Sequence, residues 1–357
     1  MGERLHGHVR VFVPPFPGSI VKQVSGKTPF SRRHGEIFPF IARRNGRPAG
    51  CIAAIINRSH NRYHEDTTGF FGFFECEDEP AVAHALFQHA ARELSARGLT
   101  TMRGPYSPSI NDECGLLIEG FDHRAYYGLP WNPPYYEKLV RACGFGDVCF
   151  SRGFRLPLGG RKVPARIDRA GLRAAQKLRV RVRPIDMRDL HSDLSIIREV
   201  YNASLERNWG FVPIADEDLQ AAASDLKLLA DAGMILIAEF EGQRAGMILS
   251  LPNLNEVLSI VRPTPRFLRA LQVFLLLKFR KTTTGRQVAY GISPRFRDTS
   301  LHPFLAREHF VAANSRYREA ALGWIQENNT EVLRVAEILG AIPTWRWGIF
   351  EKSLTSA

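Results

Sequence analysis

Cysteine is scarce. Cys51, Cys76, Cys114, Cys143 and Cys149 are the five among 357 residues, and no Cys-x-x-Cys occurs. An odd number with that spread argues against a disulfide framework or a zinc ribbon, and for a reducing compartment. Long apolar runs are missing too, since a bilayer span takes about 20 residues. Residues 1–15 lack the apolar core and cleavage-like site of a secretory leader, so a cytoplasmic location is expected. Gly-x-Ser-x-Gly elbows, Walker loops and dinucleotide fingerprints are absent. Acidic residues are outnumbered, 36 against 48 Lys and Arg, which leaves a formal charge of +12. Such a surplus favours anionic partners: nucleic acid, acidic lipid headgroups, or the phosphates of a cofactor or carrier.

What is present describes a soluble globular chain, 45% hydrophobic and 24% charged, which excludes a rod or wholesale disorder. Its length exceeds the roughly 250 residues at which one core usually stops growing. Internal similarity gives the division. Ala42-Arg-Arg-Asn-Gly46-Arg-Pro-Ala49-Gly50 runs into an apolar stretch and Asn57. Ala238-Glu-Phe-Glu-Gly242-Gln-Arg-Ala245-Gly246 runs into another and Asn253. The step (238 − 42 = 196) holds for both glycines, the second Ala and the Asn, and each copy reads as strand, tight turn and returning strand. The same step relates Asn132 to Asn328 and Gly144 to Gly340, each pair predicting a helix opened by Asn and closed by Gly. An α/β fold in two matching domains follows, 1–157 and 180–357. Insertions fall at about 104–131 and 255–286. Residues 158–179 form a basic linker helix read as a solvated connector, with an anion-binding surface as the sharper alternative.

Strand, Gly turn, strand, helix, strand, then Asn-x₁₁-Gly and a last strand resembles the GNAT acyltransferase superfamily, twice over. The runs Gly69-Phe-Phe-Gly-Phe-Phe-Glu75, Arg103-Gly-Pro-Tyr-Ser-Pro-Ser-Ile-Asn111-Asp112-Glu113, Asn132-Pro-Pro-Tyr-Tyr and Asn208-Trp209-Gly-Phe-Val-Pro213 resemble a bacterial family of tandem-GNAT proteins. That resemblance extends to bacterial ceramide synthases. It implies a mixed sheet with flanking helices and an N-acyltransferase moving an acyl group from acyl-CoA or acyl carrier protein to an amine such as a sphingoid base.

In that superfamily a strand splays from its neighbour to expose backbone groups to pantetheine, and a glycine turn at a helix start cradles the pyrophosphate. The corresponding stretch in the second copy is Ile292-Ser293-Pro-Arg295-Phe-Arg297-Asp298-Thr299-Ser300. Its arginines are present and its glycines are not. Asp298 would repel a pyrophosphate, while Thr299 and Ser300 can cap a helix by themselves. These residues, with Asn328, are the candidate donor contacts. In the first copy the equivalent place is the acidic run Glu75-Cys-Glu-Asp-Glu79, hostile to phosphate.

Acyl transfer needs a base for the amine and donors for the oxyanion. Glu327, at a strand end beside the expected cleft, is the candidate base, with Asp112 and Glu113 as further carboxylates in a first-copy loop. Asn57, His60, Asn111 and Trp209 are candidate substrate contacts on polar loops. His60 and His64 lie four apart, half of a metal site with no third ligand of matching spacing, so no metal is expected. Arg262–Lys281 is a short apolar stretch flanked by basic residues, suited to lying on an anionic membrane face or roofing an acyl chain. An alternative is an aminoacyl-tRNA-dependent transferase, or a non-catalytic nucleic-acid-binding protein, of the same fold; the spread of basic residues and the lack of an RNA-binding motif weigh against it.

Overall fold

The computed structural model describes residues 1–177, 180–261, 266–279 and 282–354. Short helices α1 (Gly2–His6), α2 (Ser19–Val24) and α3 (Pro29–Arg33) lead into strands β1 (Gly35–Arg44) and β2 (Arg47–Asn57). Next come α4 (Arg58–His64), β3 (Thr68–Cys76), α5 (Pro80–Ser95) and β4 (Thr101–Gly104). Short strands β5 (Tyr106–Ser107), β6 (Glu113–Cys114) and β7 (Leu116–Glu119) precede α6 (Tyr135–Ala142) and β8 (Gly146–Pro157). The second half continues with α7 (Ala165–Lys177), β9 (Val180–Pro184), α8 (Leu190–Leu205), α9 (Asp216–Leu229), β10 (Ile235–Phe240) and β11 (Gln243–Pro252). It ends with α10 (Asn255–Leu258), α11 (Arg266–Phe279), β12 (Thr284–Ile292), α12 (Leu301–Arg316), β13 (Glu319–Gln326), α13 (Thr330–Ile338) and β14 (Ile342–Ser353).

The repeated motif is a hairpin in both halves, in matching register. Ala42 pairs with Gly50 before a bulge, and Ala238 pairs with Gly246 before another. Each turn has two central residues at positive φ: Asn45 (51°) and Gly46 (78°), then Glu241 (47°) and Gly242 (76°). That backbone twist matches the right-handed twist of the flanking strands, which is why such two-residue turns close hairpins.

The chain separates into two compact units. The first comprises Met1–Ser151 with the segment from Leu258 to Phe274 and the chain end from Trp345. Its strands follow the order β1-β2-β3-β4-β14. Helix α5 lays Val82, Ala83, Leu86, Phe87, Ala90 and Leu94, all buried and at helical spacing, into a core with Phe71, Phe74 and Phe350. The second unit comprises Arg152–Val257 and Leu275–Thr344, with residues 152–157 of β8 followed by β13-β12-β11-β10-β9.

This division departs from cuts at 157 and 180. Strand β14 pairs with β4, Phe350 opposite Gly104 and Ser353 opposite Thr101, so the first unit takes a strand from the end of the chain. Equivalent last strands of two related modules offer the same edge, so sequence order does not dictate which is used. Helix α7 is not a free connector either. Ile167 and Ala174 are buried, and Asp168 accepts a 2.8 Å hydrogen bond from Arg307 on α12. Residues 178–179 of the expected linker lie outside the described residues. The expected insertion at 255–286 holds α10 and α11 but ends earlier, because β12 begins at Thr284. Among the described residues no helix is long and apolar enough to cross a membrane.

Candidate functional site

Strands β12 and β13 run parallel and pair from Thr284–Glu319 to Gln287–Leu322. Among the described residues their ladder stops there, although β12 continues to Ile292 and β13 to Gln326. The break coincides with Gly323, at φ 144°. A Cβ on that residue would stand 3.0 Å from the Gly153 Cα and 3.1 Å from the Arg152 carbonyl oxygen. Only glycine fits so strained a backbone in so close an approach. Meanwhile β12 keeps its other neighbour, with Ala289 to Ile292 opposite Leu249 to Gly246. The gap therefore opens on one side of β12, and backbone groups of residues 288–292 and 323–326 border it.

Beside these strands, under α12 and α13, lies a small pocket, partly open to solvent. Its lining is mostly Leu, Ile, Val, Phe and Ala, with Gln287, Tyr290 and His309 supplying the polar atoms. A register shift in the β11–β12 ladder skips Val288, which restores Gln287 and Tyr290 to one face. His309 is buried, with Nε2 2.8 Å from the Ser250 hydroxyl. Burial pushes its pKa down to about 4, so the imidazole is neutral near pH 7. Tyr290 Oη lies 2.7 Å from His302 Nδ1, and His302 Nε2 is buried without a hydrogen-bond partner. Burial also lowers the His302 pKa, against the opposing pull of Glu331 in the first turn of α13, and raises that of Tyr290.

The expected donor contacts are placed as follows. Ile292 is buried, and the Ser293 hydroxyl donates to the Arg244 carbonyl at 2.7 Å. Arg295 donates to the Gln243 side chain at 3.0 Å, and Arg297 to the Ser204 carbonyl at 2.9 Å, near the end of α8. The Thr299 hydroxyl donates to the Phe296 carbonyl and accepts from the Leu301 amide. Asp298 and Ser300 are exposed. Most of the turn's polar groups are thus engaged by protein partners on β11 and α8.

Glu327 follows β13 directly, and Arg152 Nε donates to its carboxylate at 2.8 Å. Its carboxylate is therefore ion-paired. The neighbouring Gln326 clasps the Trp209 backbone, accepting from its N–H at 3.0 Å and donating to its carbonyl at 2.8 Å. Gln326 therefore ties the Trp209 segment to the end of β13, as the two sequence segments alone do not reveal. Asn328 is exposed; the cap of α13 is Asn329, whose side chain accepts from Val332 N–H. Its expected counterpart, Asn132, caps nothing. It is buried and brackets Leu117, accepting from its N–H at 2.7 Å and donating to its carbonyl at 3.1 Å.

The first unit parts the same strands and then fills the gap. Strands β3 and β4 pair only from Thr68–Thr101 to Phe70–Arg103. Beyond that, the Tyr106 carbonyl stands where a side chain on Gly72 would go, and Phe73 N–H donates to the Ser107 hydroxyl. Farther along, Cys76 N–H donates to Tyr136 Oη, and the Tyr135 hydroxyl donates to the Cys76 carbonyl. His6 Nε2 lies 2.9 Å from both Glu75 and Tyr136. Of the other acids in the run, Glu77 pairs with Arg4 and Arg44, and Glu79 with Arg44.

The other first-unit candidates are built into local structure. Asn57 is buried and caps α4, accepting from His60 N–H at 3.0 Å. A strand-to-helix junction needs such a cap. His60 is buried against Phe70 and His64, with Asp66 3.4 Å from Nε2, and burial holds its pKa well below the ordinary value. Asn111 and Asp112 share a turn in which the Ser109 hydroxyl accepts from Asn111 N–H and donates to the Asp112 carboxylate. Glu113 pairs with Ser107 in the β5–β6 ribbon. Among the described residues no group of three or more potential ligands could hold a metal.

Gln287, Tyr290, His302 and His309 were not candidates from sequence. Tyr290 and His302 meet only because α12 folds back from the end of β12, and His309 reads as one more position on a helix that is otherwise apolar toward the sheet.

Paired hairpins, parted parallel strands with a helix between them, and a following strand–helix step define the class: the chain has the tandem-GNAT fold. No protein-family model matches the chain. Among curated proteins it is 29% identical over 328 residues to protein YghO of Escherichia coli strain K12, covering 88% of this chain and 82% of that one. It is 27% identical over 329 residues to the bacterial ceramide synthase of Caulobacter vibrioides, covering 90% and 85%. Of solved structures, a tandem GNAT protein from the clavulanic acid biosynthesis pathway superposes with a TM-score of 0.54 at 12% identity, covering 99% of this chain and 93% of that one. A GCN5-related N-acetyltransferase from Sphaerobacter thermophilus superposes at 0.50 and 14%, covering 88% and 79%.

Proposed function

We propose that the protein is an N-acyltransferase whose second unit carries the reaction. The observation that supports this most is the parting of β12 from β13 at Gly323. A thioester arm laid in the gap can hydrogen-bond to strand edges that have no strand partner on that side, and an amide N–H there can meet the oxyanion. The amine lone pair attacks the thioester carbon, a C–N bond forms, the C–S bond breaks and the thiolate leaves. The proton lost by the amine goes to Glu327, which Arg152 holds in place. Trp209, whose backbone Gln326 holds, and Asn328 then border the acceptor or the pantetheine.

The donor is acyl-CoA or an acyl carrier protein. Arg295 and Arg297 are engaged by Gln243 and Ser204, so phosphate contact falls to the exposed Ser300 and the start of α12. A carrier arm, with one phosphate instead of a pyrophosphate, suits such a turn as well as CoA does. The acceptor is a long-chain amine of the sphingoid type, in keeping with the name of the Caulobacter relative. Helix α11 exposes Leu268, Leu271 and Phe274 in a stretch of sequence rich in Arg and Lys, which fits peripheral contact with an anionic membrane face. The ends of that stretch, 262–265 and 280–281, lie outside the described residues.

The test is incubation with long-chain acyl-CoA or acyl carrier protein and a sphingoid base. Free thiol and an equal amount of amide by mass spectrometry are the expected products. No thiol release with either donor contradicts the proposal.

A further inference from the structure

We infer that the exposed face of helix α7 docks an acyl carrier protein, which sets the carrier's arm beside the start of α12. The inference rests on the acyltransferase reading and adds to it a docking site for one of its two donors.

The face is a stripe of cations. Arg166, Arg169 and Arg173 are exposed and lie at i, i+3 and i+7, along one side of α7 over about 10 Å. Among the described residues none of the three forms an ion pair. The one acid of the helix, Asp168, is taken by Arg307 on α12. Other arginines of the second unit are neutralised within it: Arg155, Arg183, Arg198, Arg244, Arg307 and Arg316 each pair with a carboxylate. Like charges three and four residues apart disfavour a helix, so the stripe lowers stability unless an anionic surface covers it. Leu172 stands beside the stripe, 45% exposed. An apolar side chain bordered by charge is how a protein interface is built, with its rim polar.

Position selects the partner. Helix α7 lies along α12 in the opposite direction. Asp168 meets Arg307, and a Cβ on Gly171 would stand 3.1 Å from the Pro303 carbonyl oxygen. Ala174 is buried with Leu301, Phe304 and Leu305. The stripe therefore ends beside the first turn of α12, where the phosphate of the donor's arm is expected. The turn before α12 adds little free positive charge, since Arg295 and Arg297 are engaged and Asp298 is exposed. Ile167, Gly171 and Ala174 face inward, so the arginines point away from α12. A nucleotide lying on the turn would not reach around to them. An acidic protein seated on α7 can touch them while its arm turns in at α12, and complementary charge would steer it there.

The test titrates the full chain into a fluorescently labelled bacterial acyl carrier protein carrying a palmitoyl group. It then compares KM for that donor with KM for palmitoyl-CoA. Arg166→Glu, Arg169→Glu and Arg173→Glu together set like charges against each other, which should weaken carrier binding and raise the carrier's KM at least about tenfold. The kcat with either donor and the KM for palmitoyl-CoA should stay within about twofold of the parent, the signature of lost binding alone. Added salt should weaken carrier binding to the parent and not to the triple variant. Should the triple variant fail to fold, Leu172→Ser and Arg169→Gln are read in its place, each with a smaller loss of the same kind. No carrier binding by the parent overturns the inference. So does an equal rise in both KM values, which would put the phosphates of CoA on α7. Loss of binding to phosphatidylglycerol vesicles in the triple variant, with carrier binding intact, would overturn it in favour of a membrane. Amide formed from palmitoyl-CoA with no carrier binding would leave the acyltransferase reading standing without the docking face. Carrier binding that the triple variant loses, with no amide from any amine, would do the reverse.

Discussion

Glu327 and His309 show how much a residue's role depends on partners far away in the chain. Arg152 Nε holds the Glu327 carboxylate in place through an ion pair. Glu327→Gln keeps the shape and removes the base. It should lower kcat by about 10²–10⁴ with little change in KM, the range for a lost general base. A drop of less than about fivefold in the steady-state rate, set against that range, would remove Glu327 from the chemistry. His309 makes a separate prediction about stability. Its folded pKa is about 4, against 6.5 in the unfolded chain. Below pH 6.5 the unfolded chain takes up a proton that the folded chain refuses, so stability present above pH 6.5 is lost as pH falls toward 4. By pH 5 this one group should cost about 2 kcal/mol. Urea midpoints at pH 7.5 and pH 5 should show that difference, and His309→Gln, which can still bond Ser250, should shrink it. An undiminished difference in the variant would show that the proton binds elsewhere.

At the scale of elements, what was legible in the sequence was what neighbouring residues decide. The two hairpins were read from Asn45-Gly46 and Glu241-Gly242 because turn geometry is local. Helices α6 and α13 were read from apolar spacing and a terminal glycine, but their caps were misplaced. Asn328 and Asn329 are adjacent and equivalent on paper, and only the path of the chain selects Asn329. The parting of β12 and β13 was expected from resemblance; the close approach of Gly323 to Gly153 beside it joins segments 170 positions apart (323 − 153) and has no local signature. The pocket was not anticipated, because alanines in a helix or strand announce nothing until their facing partners are known. Helix α11 carries the prediction of this scale. Leu271 and Phe274 are 54% and 49% exposed, so Leu271→Ser with Phe274→Ser should shift stability by no more than about 0.5 kcal/mol per site. Association with anionic phospholipid vesicles should fall at least about tenfold, since each side chain buries about 1.5–3 kcal/mol of apolar surface at an interface. Unchanged co-sedimentation with the vesicles would assign α11 another role.

For the whole molecule the central fact is that one ancestral module occurs twice and its two copies treat the same gap differently. The first fills it with the Tyr106–Ser107 backbone, Tyr135, Tyr136 and His6; the second leaves it bordered by unpaired strand edges and a small pocket. Sequence repetition revealed the duplication, and the acidic run revealed that the first copy is hostile to phosphate. The filling itself depends on the amino-terminal helix and on tyrosines sixty positions from the strand they close, which no repeat comparison shows. Hydrogen–deuterium exchange of the full chain, with and without long-chain acyl-CoA, addresses this most directly. Slowed exchange at residues 288–292 and 323–326, with residues 71–76 unchanged, is the predicted result. Slowing confined to residues 71–76, or none in the two second-unit stretches, would contradict it.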